Sequence, residues 1–246
     1  MRKILLGFLC ITFFSSLYAL NLTMEGTFDN YQKPTGGVSF FLEGDLLNNV
    51  NLVSSLEYLY ANTYTGYCIT EFSSNWFGLG AGLMFHMTAD ELYPGLITSG
   101  KLQKKDVIEF KIQYTMGFNP ADLSEIHFHE VSGNLIVKMK ESDSILSGLF
   151  SKEDTPSISK LLYEGQLFVL AKQKGIPFRM GFGFGARWIS DTRITDGYDL
   201  QINGKGRMEL AFLTKQFYLE GSSTFLSLRE NRIPFGVTLG ASFLLQ

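Results

Sequence analysis

Residues 106–119, with the sequence DVIEFKIQYTMGFN, contain the pattern that decides the fold. Every second position carries an apolar or aromatic side chain: Ile108, Phe110, Ile112, Tyr114, Met116 and Phe118. The alternate positions include Glu109, Lys111, Gln113 and Thr115. A period of two residues indicates an extended strand with one apolar and one polar face. The run is about a dozen residues long, roughly twice a usual soluble strand and enough to cross a bilayer at a tilt. A strand with lipid on one side and a polar lumen on the other has this pattern.

Segments 76–87, 178–188 and 234–245 alternate in the same way. In residues 76–87 the apolar face is interleaved with glycines at positions 78, 80 and 82. We predict that these glycines face inward and leave room for bulky lumen side chains on neighbouring strands.

The chain of 246 residues is 45% hydrophobic and has a formal charge of −3, which gives no indication of nucleic-acid binding. Residues 1–19 have the basic start, apolar centre and small-residue end of a secretory signal peptide. We therefore predict a single domain over residues 20–246, in which Cys68 is the remaining cysteine and has a structural role. Beyond the signal no run of about 18 apolar residues occurs, so a membrane protein with this sequence must be a barrel.

The whole mature chain resembles the small outer-membrane β-barrel proteins of double-membraned bacteria. The resemblance rests on the signal peptide, the long alternating strands, the aromatic-rich outward faces and the last strand at residues 234–245. It implies contact with outer-membrane lipid and folding by the barrel-assembly machinery. It identifies no subfamily, so no site residue is transferred from a known protein.

We predict an all-β fold, an antiparallel transmembrane β-barrel with up-and-down meander topology and about twelve strands, with about ten as the alternative count. With both termini on the periplasmic side, the short periplasmic connections are predicted at residues 45–49, 73–75, 119–125, 173–176 and 214–216. The longer external loops are predicted at residues 88–105, 142–159 and 189–199. An apolar cluster in loop 142–159 predicts either a plug that folds inward or a short helix.

Charged residues within the predicted strands fall mostly on the polar phase. Those that line the predicted lumen and are candidates for selectivity are Glu109, Lys111, Lys138, Lys140, Arg179, Arg187, Lys205, Arg207, Glu209 and Glu220. Because a Lys or Arg in lipid at the bilayer midplane costs about 2–4 kcal/mol, these side chains are expected to face inward.

Simple hairpin registers predict which of these charges are neighbours. Glu109 is expected opposite Lys140, and Lys111 opposite Lys138. Arg179 is expected opposite Glu209, and Glu209 opposite Glu220. A slip of one residue would exchange the two faces of a strand.

Two interpretations of this lumen compete. In the first, the charges form a salt-bridge network that fills and stabilises a narrow barrel. In the second, they line a conduit for small polar solutes, which Arg179, Arg187, Lys205 and Arg207 would bias towards anions. A barrel of this strand number has room for only a small pore.

Catalysis is the weaker hypothesis. A membrane-embedded lipid hydrolase would need a nucleophile beside a histidine at the external rim, and no serine motif accompanies His86. His127 and His129, predicted near a periplasmic turn, could offer two metal ligands, but no third ligand is evident. We predict no enzyme activity, no metal and no cofactor.

The main rival fold is a soluble periplasmic β-barrel or sandwich that acts as a binding protein. It would also have a signal peptide and alternating strands. The strand lengths and the polar phase rich in Gly, Ser, Thr and charge favour the membrane barrel. The predicted function is therefore a small channel or structural surface barrel in the outer membrane.

Overall fold

The computed structural model describes residues 20–29, 35–47, 49–59, 63–87, 91–123, 125–154, 159–172, 176–191, 197–212, 215–228 and 234–245. The predicted signal peptide, residues 1–19, lies outside the described residues. Within the described ranges, no helix has the length and apolar character needed to cross a membrane.

The described residues form fourteen β-strands. The first seven are β1 (Leu20–Asp29), β2 (Thr35–Leu47), β3 (Val50–Leu59), β4 (Thr63–Ser73), β5 (Phe77–Met87), β6 (Leu92–Lys104) and β7 (Ile108–Phe118). The other seven are β8 (Ile126–Lys138), β9 (Ser142–Asp154), β10 (Ser159–Lys172), β11 (Phe178–Asp191), β12 (Tyr198–Phe212), β13 (Lys215–Ser227) and β14 (Phe235–Leu245).

Each strand pairs antiparallel with the next along the chain, and β14 pairs with β1 to close the barrel. The closing pair runs from Leu20 opposite Leu245 to Asp29 opposite Gly236. Closure pairs the edges that an open sheet would expose. The predicted antiparallel meander barrel is confirmed, whereas the predicted count of about twelve strands is two too low, because fourteen are present.

The two strands that sequence analysis missed are β6 and β9, which occupy most of the predicted loops 88–105 and 142–159. β6 was obscured because Pro94 and Gly95 are loop signals and because Tyr93 and Ile97 put apolar groups on its inner face too. In β9, Ile145 and Leu146 do not form a plug or helix. They alternate within a strand, with Leu146 on the exposed face.

These two additional strands move one connection to the other end of the barrel. Residues 119–125 were predicted on the side of the chain termini, but they join β7 to β8 at the opposite end. His127 and His129 therefore lie at the same end as His86, rather than at the opposite end as predicted.

The predicted faces of the strands are confirmed. On β7, Ile108, Phe110 and Ile112 are exposed on the outside, whereas Thr115 on the alternate phase is buried. On β11, Phe182 and Phe184 are exposed in the same way. The outer wall of the barrel is thus rich in exposed apolar side chains of the kind that lipid covers.

An apolar cluster fills part of the barrel interior on the side of β4 to β6. Ile69, Met84 and Ile97 are buried there, with Val53, Tyr67 and Phe128 packed against them. Glycine makes this packing possible, since a Cβ on Gly80 would lie only 2.8 Å from Cγ2 of Ile69. The predicted role of inward glycines is confirmed.

Candidate functional site

Nine of the ten predicted lumen residues lie on the inner faces of strands. They are Glu109, Lys111, Lys138, Arg179, Arg187, Lys205, Arg207, Glu209 and Glu220. Lys140 is the exception, because β8 ends at Lys138 and residues 139–141 connect it to β9. Lys140 is exposed in that connection and does not belong to the lumen wall.

The predicted neighbours around Glu109 are wrong. Glu109 is paired with Ile136, and Lys111 with Asn134. β8 begins at Ile126, directly after the connection 119–125, and its register with β7 is four residues away from the predicted one. Glu109 nevertheless contacts Lys111 at 3.2 Å and Lys138 at 3.6 Å, which makes it the acidic centre of two ion pairs.

Arg179 opposite Glu209 is confirmed by the register of β11 and β12, and Nε of Arg179 lies 3.6 Å from Oε2 of Glu209. Glu209 opposite Glu220 is wrong. Tyr218 lies opposite Glu209, and Glu220 lies opposite Arg207. Phe212 pairs with Lys215, so the register differs from the predicted one by two positions. The expected repulsive pair of two carboxylates is thereby replaced by an attractive pair of Arg207 and Glu220.

Arg207 is the centre of the largest ion-pair network in the described lumen. Its Nε lies 2.8 Å from Oε1 of Glu209, and its Nη1 lies 3.6 Å from Oε2 of Glu220. Its guanidinium carbon lies 3.8 Å from the ring centroid of Tyr218, a cation–π contact. The Nζ of Lys205 adds a 2.8 Å ion pair to Oε1 of Glu220.

Tyr218 belongs to this network and was not among the residues predicted from the sequence. Its hydroxyl donates a hydrogen bond to Glu25 of β1, which links the network to the closing strand of the barrel. Gly240 is the sequence feature that accompanies this side chain, because a Cβ at this inward position would collide with the Tyr218 ring. The pairing of Tyr218 with Gly240 could be assigned only once the register of β13 and β14 was known.

A cavity of about 240 Å³ opens beside this network, inside the barrel between β8 and β13. Its charged lining is Lys205, Arg207, Glu209 and Glu220. Its other lining residues are Asn134, Ile145, Ser147, Gln166, Phe168 and Leu170. The cavity combines both signs of charge, amide groups and an apolar wall.

Arg187 forms a separate ion pair in the second half of β11, whereas Arg179 lies at the start of that strand. Its Nη2 and Nε lie 2.6 Å and 2.7 Å from Oε2 of Glu164 on β10. Lys172 contacts Asp143 on β9 in a further pair. Thus each of the four basic residues predicted to favour anions has a carboxylate partner.

The histidines lie at the end of the barrel opposite the termini. The rings of Tyr93 and His127 stack with centroids 4.4 Å apart, and the Nδ1 of His86 lies 2.9 Å from Oγ1 of Thr65. His129 is paired with Met116 and hydrogen-bonded to the Tyr114 hydroxyl at 2.7 Å. A bulge opposite Gly117 and Phe118 leaves His127 without a partner in the register of β7 and β8. The described residues contain no group of three or more His, Cys, Asp or Glu arranged to hold a metal.

No protein-family model matches the sequence, and no curated protein matches it. Solved structures do match. A bacterial polysaccharide outer membrane secretin is 9% identical with a TM-score of 0.56, over 92% of this chain and 98% of that one. An outer membrane channel from Pseudomonas putida F1 is 10% identical with a TM-score of 0.58, over 92% and 95% of the two chains. The NanC porin is 10% identical with a TM-score of 0.51, over 91% of this chain and 100% of that one. At these identities the likeness concerns the fold, and the chain has the fold of outer-membrane β-barrel proteins.

Proposed function

We propose that this protein is an outer-membrane β-barrel that forms a narrow channel for small polar solutes. The observation that carries the proposal is the separation of apolar and charged side chains across the barrel wall. Phe182 and Leu83 are 64% and 69% exposed on the outside, whereas Glu209 is 4% exposed on the inside. In water, apolar side chains on the outside would be unfavourable. In lipid, charged side chains on the outside would cost about 2–4 kcal/mol for each Lys or Arg at the midplane.

The channel is narrow because side chains occupy much of the interior. The apolar cluster of Ile69, Met84 and Ile97 fills one side, and the Arg207 network occupies another. Barrels of about 8 strands are filled by side chains, and porins of 16–18 strands hold an aqueous channel. Fourteen strands with this filling support passage of small solutes only.

The anion preference predicted from the sequence remains part of this proposal and is open to test. Against it, Arg179, Arg187 and Arg207 each lie beside a carboxylate that offsets their charge. A cation preference is the second candidate, supported by Glu57 and Glu130, which make no ion pair with any residue that the structure describes. The reversal potential of single channels in a salt gradient distinguishes the two, because its sign reports which ion carries the current.

We further propose location in the outer membrane after export by a cleaved signal peptide, contact with its lipid, folding by the barrel-assembly machinery and no catalytic role. The barrel fold and its apolar exterior support the location. The soluble periplasmic binding protein and the membrane-embedded hydrolase are the alternatives. The exposed apolar exterior counts against the first, since soluble proteins rarely expose contiguous apolar patches of more than a few hundred Å².

The experiment that tests the proposal is planar-bilayer conductance of the refolded chain, residues 20–246, with heat-modifiable gel migration alongside. Discrete ohmic steps together with a heat-sensitive band are expected. A heat-sensitive band without conductance would show a closed structural barrel or an enzyme. A chain that folds in buffer without detergent would support the soluble alternative.

A further inference from the structure

The charges that line the 240 Å³ cavity balance one another. Lys205 and Arg207 are basic, and Glu209 and Glu220 are acidic. A solute with a single charge would be attracted by one pair and repelled by the other. A solute with both charges can place each of them beside the opposite sign, and Coulomb attraction at such short range is strong inside a protein.

Glu209 has an acceptor that the protein leaves unused. The side chain is 4% exposed, and its Oε2 makes no hydrogen bond to any described residue. The nearest basic atom to Oε2 among the ion pairs is Nε of Arg179, at 3.6 Å, which is too long for a hydrogen bond. A buried acceptor without a donor costs about 1–3 kcal/mol, and more when charged. An N–H donor brought by a solute would remove that cost.

The basic side of the cavity has spare donors. Arg207 Nε is buried against Oε1 of Glu209 at 2.8 Å, so the charge of this side chain, rather than its Nε donor, acts on a solute in the cavity. Lys205 has three donors, of which the ion pair to Glu220 uses one. The Tyr218 ring holds the Arg207 guanidinium in place at 3.8 Å. These donors are suited to a carboxylate.

Part of the remaining wall is apolar, because Phe168 and Leu170 are buried beside Ile145, whereas Asn134, Ser147 and Gln166 make the rest of it polar. A cavity of about 240 Å³ is smaller than the roughly 300–1,000 Å³ of sites for drug-sized ligands. We propose that this cavity binds a small zwitterion with an apolar side chain, the chemistry of a free aliphatic amino acid. Its ammonium would meet Glu209, its carboxylate would meet Lys205 and Arg207, and its side chain would contact Phe168. The inference rests on the proposed function in one respect, that solutes reach the lumen.

The test uses L-leucine as the probe, with isothermal titration calorimetry on the folded barrel in detergent micelles. Two analogues each lack one charge: 3-methylbutylamine has no carboxylate, and 4-methylpentanoate has no ammonium. Leucine is expected to bind at least about tenfold more tightly than either analogue, which corresponds to 1.4 kcal/mol. Equal binding of the three compounds, or no binding of leucine, would overturn the proposal.

Variants locate the site. Glu209→Gln is expected to weaken leucine binding by about tenfold or more, because a charged hydrogen-bond partner is lost. Glu164→Gln is the matched control, because Glu164 is a lumen carboxylate that pairs with Arg187 outside the cavity, and it is expected to leave the affinity within about twofold. If heat-modifiable migration shows that Glu209→Gln does not fold, Lys205→Met takes its place with the same expected loss. An equal effect of Glu164→Gln would overturn the assignment.

Conductance separates this inference from the proposed function. Conductance without leucine binding would support the proposed channel and contradict the proposed binding site. Leucine binding without conductance would support the binding site and contradict the channel.

Discussion

Gly240 lies under the ring of Tyr218, so that any side chain at this position would collide with the ring. Gly117 has the same relation to Phe128, and Gly95 to Met84. In each case a lumen side chain lies flat on a neighbouring strand because the residue beneath it has no Cβ. The glycine content of the inner faces is therefore a packing requirement of a narrow lumen.

Gly240→Val is expected to destabilise the folded barrel by about 1–3 kcal/mol, the usual cost of overpacking, because Tyr218 must leave its place and its hydrogen bond to Glu25. Urea unfolding in detergent micelles, followed by heat-modifiable migration, measures this change. Gly206→Val is the control, since a Cβ there meets no atom within 4 Å. Equal stability of the two variants would contradict the packing role of Gly240.

Phe182→Arg tests the outward face of β11, where this side chain is 64% exposed. A loss of about 2–4 kcal/mol of folding free energy in lipid vesicles is expected for a charge near the bilayer midplane. Gln113→Arg is the control, because Gln113 lies on the inner phase of β7, and its cost should be well below that range. A Gln113→Arg variant as unstable as Phe182→Arg would show that these faces are assigned wrongly.

Strand β9 shows why a strand can escape detection when its sequence is taken alone. Its outer face carries Ser144, Leu146, Gly148 and Phe150 in turn, so that small residues alternate with large ones, and Gly148 pairs with Gly133 and with Gly165. The apolar signal on this face is therefore weak, and the inner face carries Ile145 and Leu149. The alternation becomes evident only beside β8 and β10, where small outward residues lie in register.

Site-directed spin labelling checks this strand. In a Cys68→Ser background, which removes an exposed cysteine, a spin label at Leu146 should be more accessible to oxygen than to a water-soluble nickel chelate. Because successive residues of a strand point to opposite faces, a label at Ser147 should show the reverse preference. If both labels were more accessible to the nickel chelate than to oxygen, the result would contradict the strand and support the predicted external loop at residues 142–159.

The closed barrel depends on the pairing of β1 with β14, between the two ends of the domain. Thr23 and Ser242 are opposite each other, with their hydroxyl oxygens 3.1 Å apart. Contacts this distant along the chain form slowly, because loop-closure entropy opposes them. Closure is thus the property of the molecule that local sequence is least able to specify.

Thr23→Cys combined with Ser242→Cys, in the Cys68→Ser background, is expected to form a disulfide in the folded state. Opposed residues of antiparallel strands have Cα atoms about 4.5–5.5 Å apart, within the range of about 4.4–6.8 Å that disulfides require. Altered migration after heating without reductant detects the cross-link. Thr23→Cys with Ser222→Cys is the control, because Ser222 pairs with Lys205 and Gly236 and not with β1. Absence of the first cross-link in heat-modifiable protein would argue against closure between β1 and β14.

The sequence by itself determined the faces of the strands, the meander and the inward position of nine of the ten candidate charges. The faces and the inward positions follow from a period of two residues, which is a local property of an extended chain, and the meander follows from the connections expected of such a barrel. It also predicted the pairing of Arg179 with Glu209. The soluble alternative could be judged from the same pattern, because strand length and polarity are local as well.

The tertiary structure alone decided the strand count, the end of the barrel to which residues 119–125 belong and the partners of Glu109 and Glu220. Register depends on where each turn closes, and a shift of two residues keeps every face unchanged while it replaces every neighbour. The cavity beside Arg207 depends in turn on those neighbours. Which charges meet in the lumen is therefore settled by hydrogen bonding between strands, because the alternation within each strand is compatible with several registers.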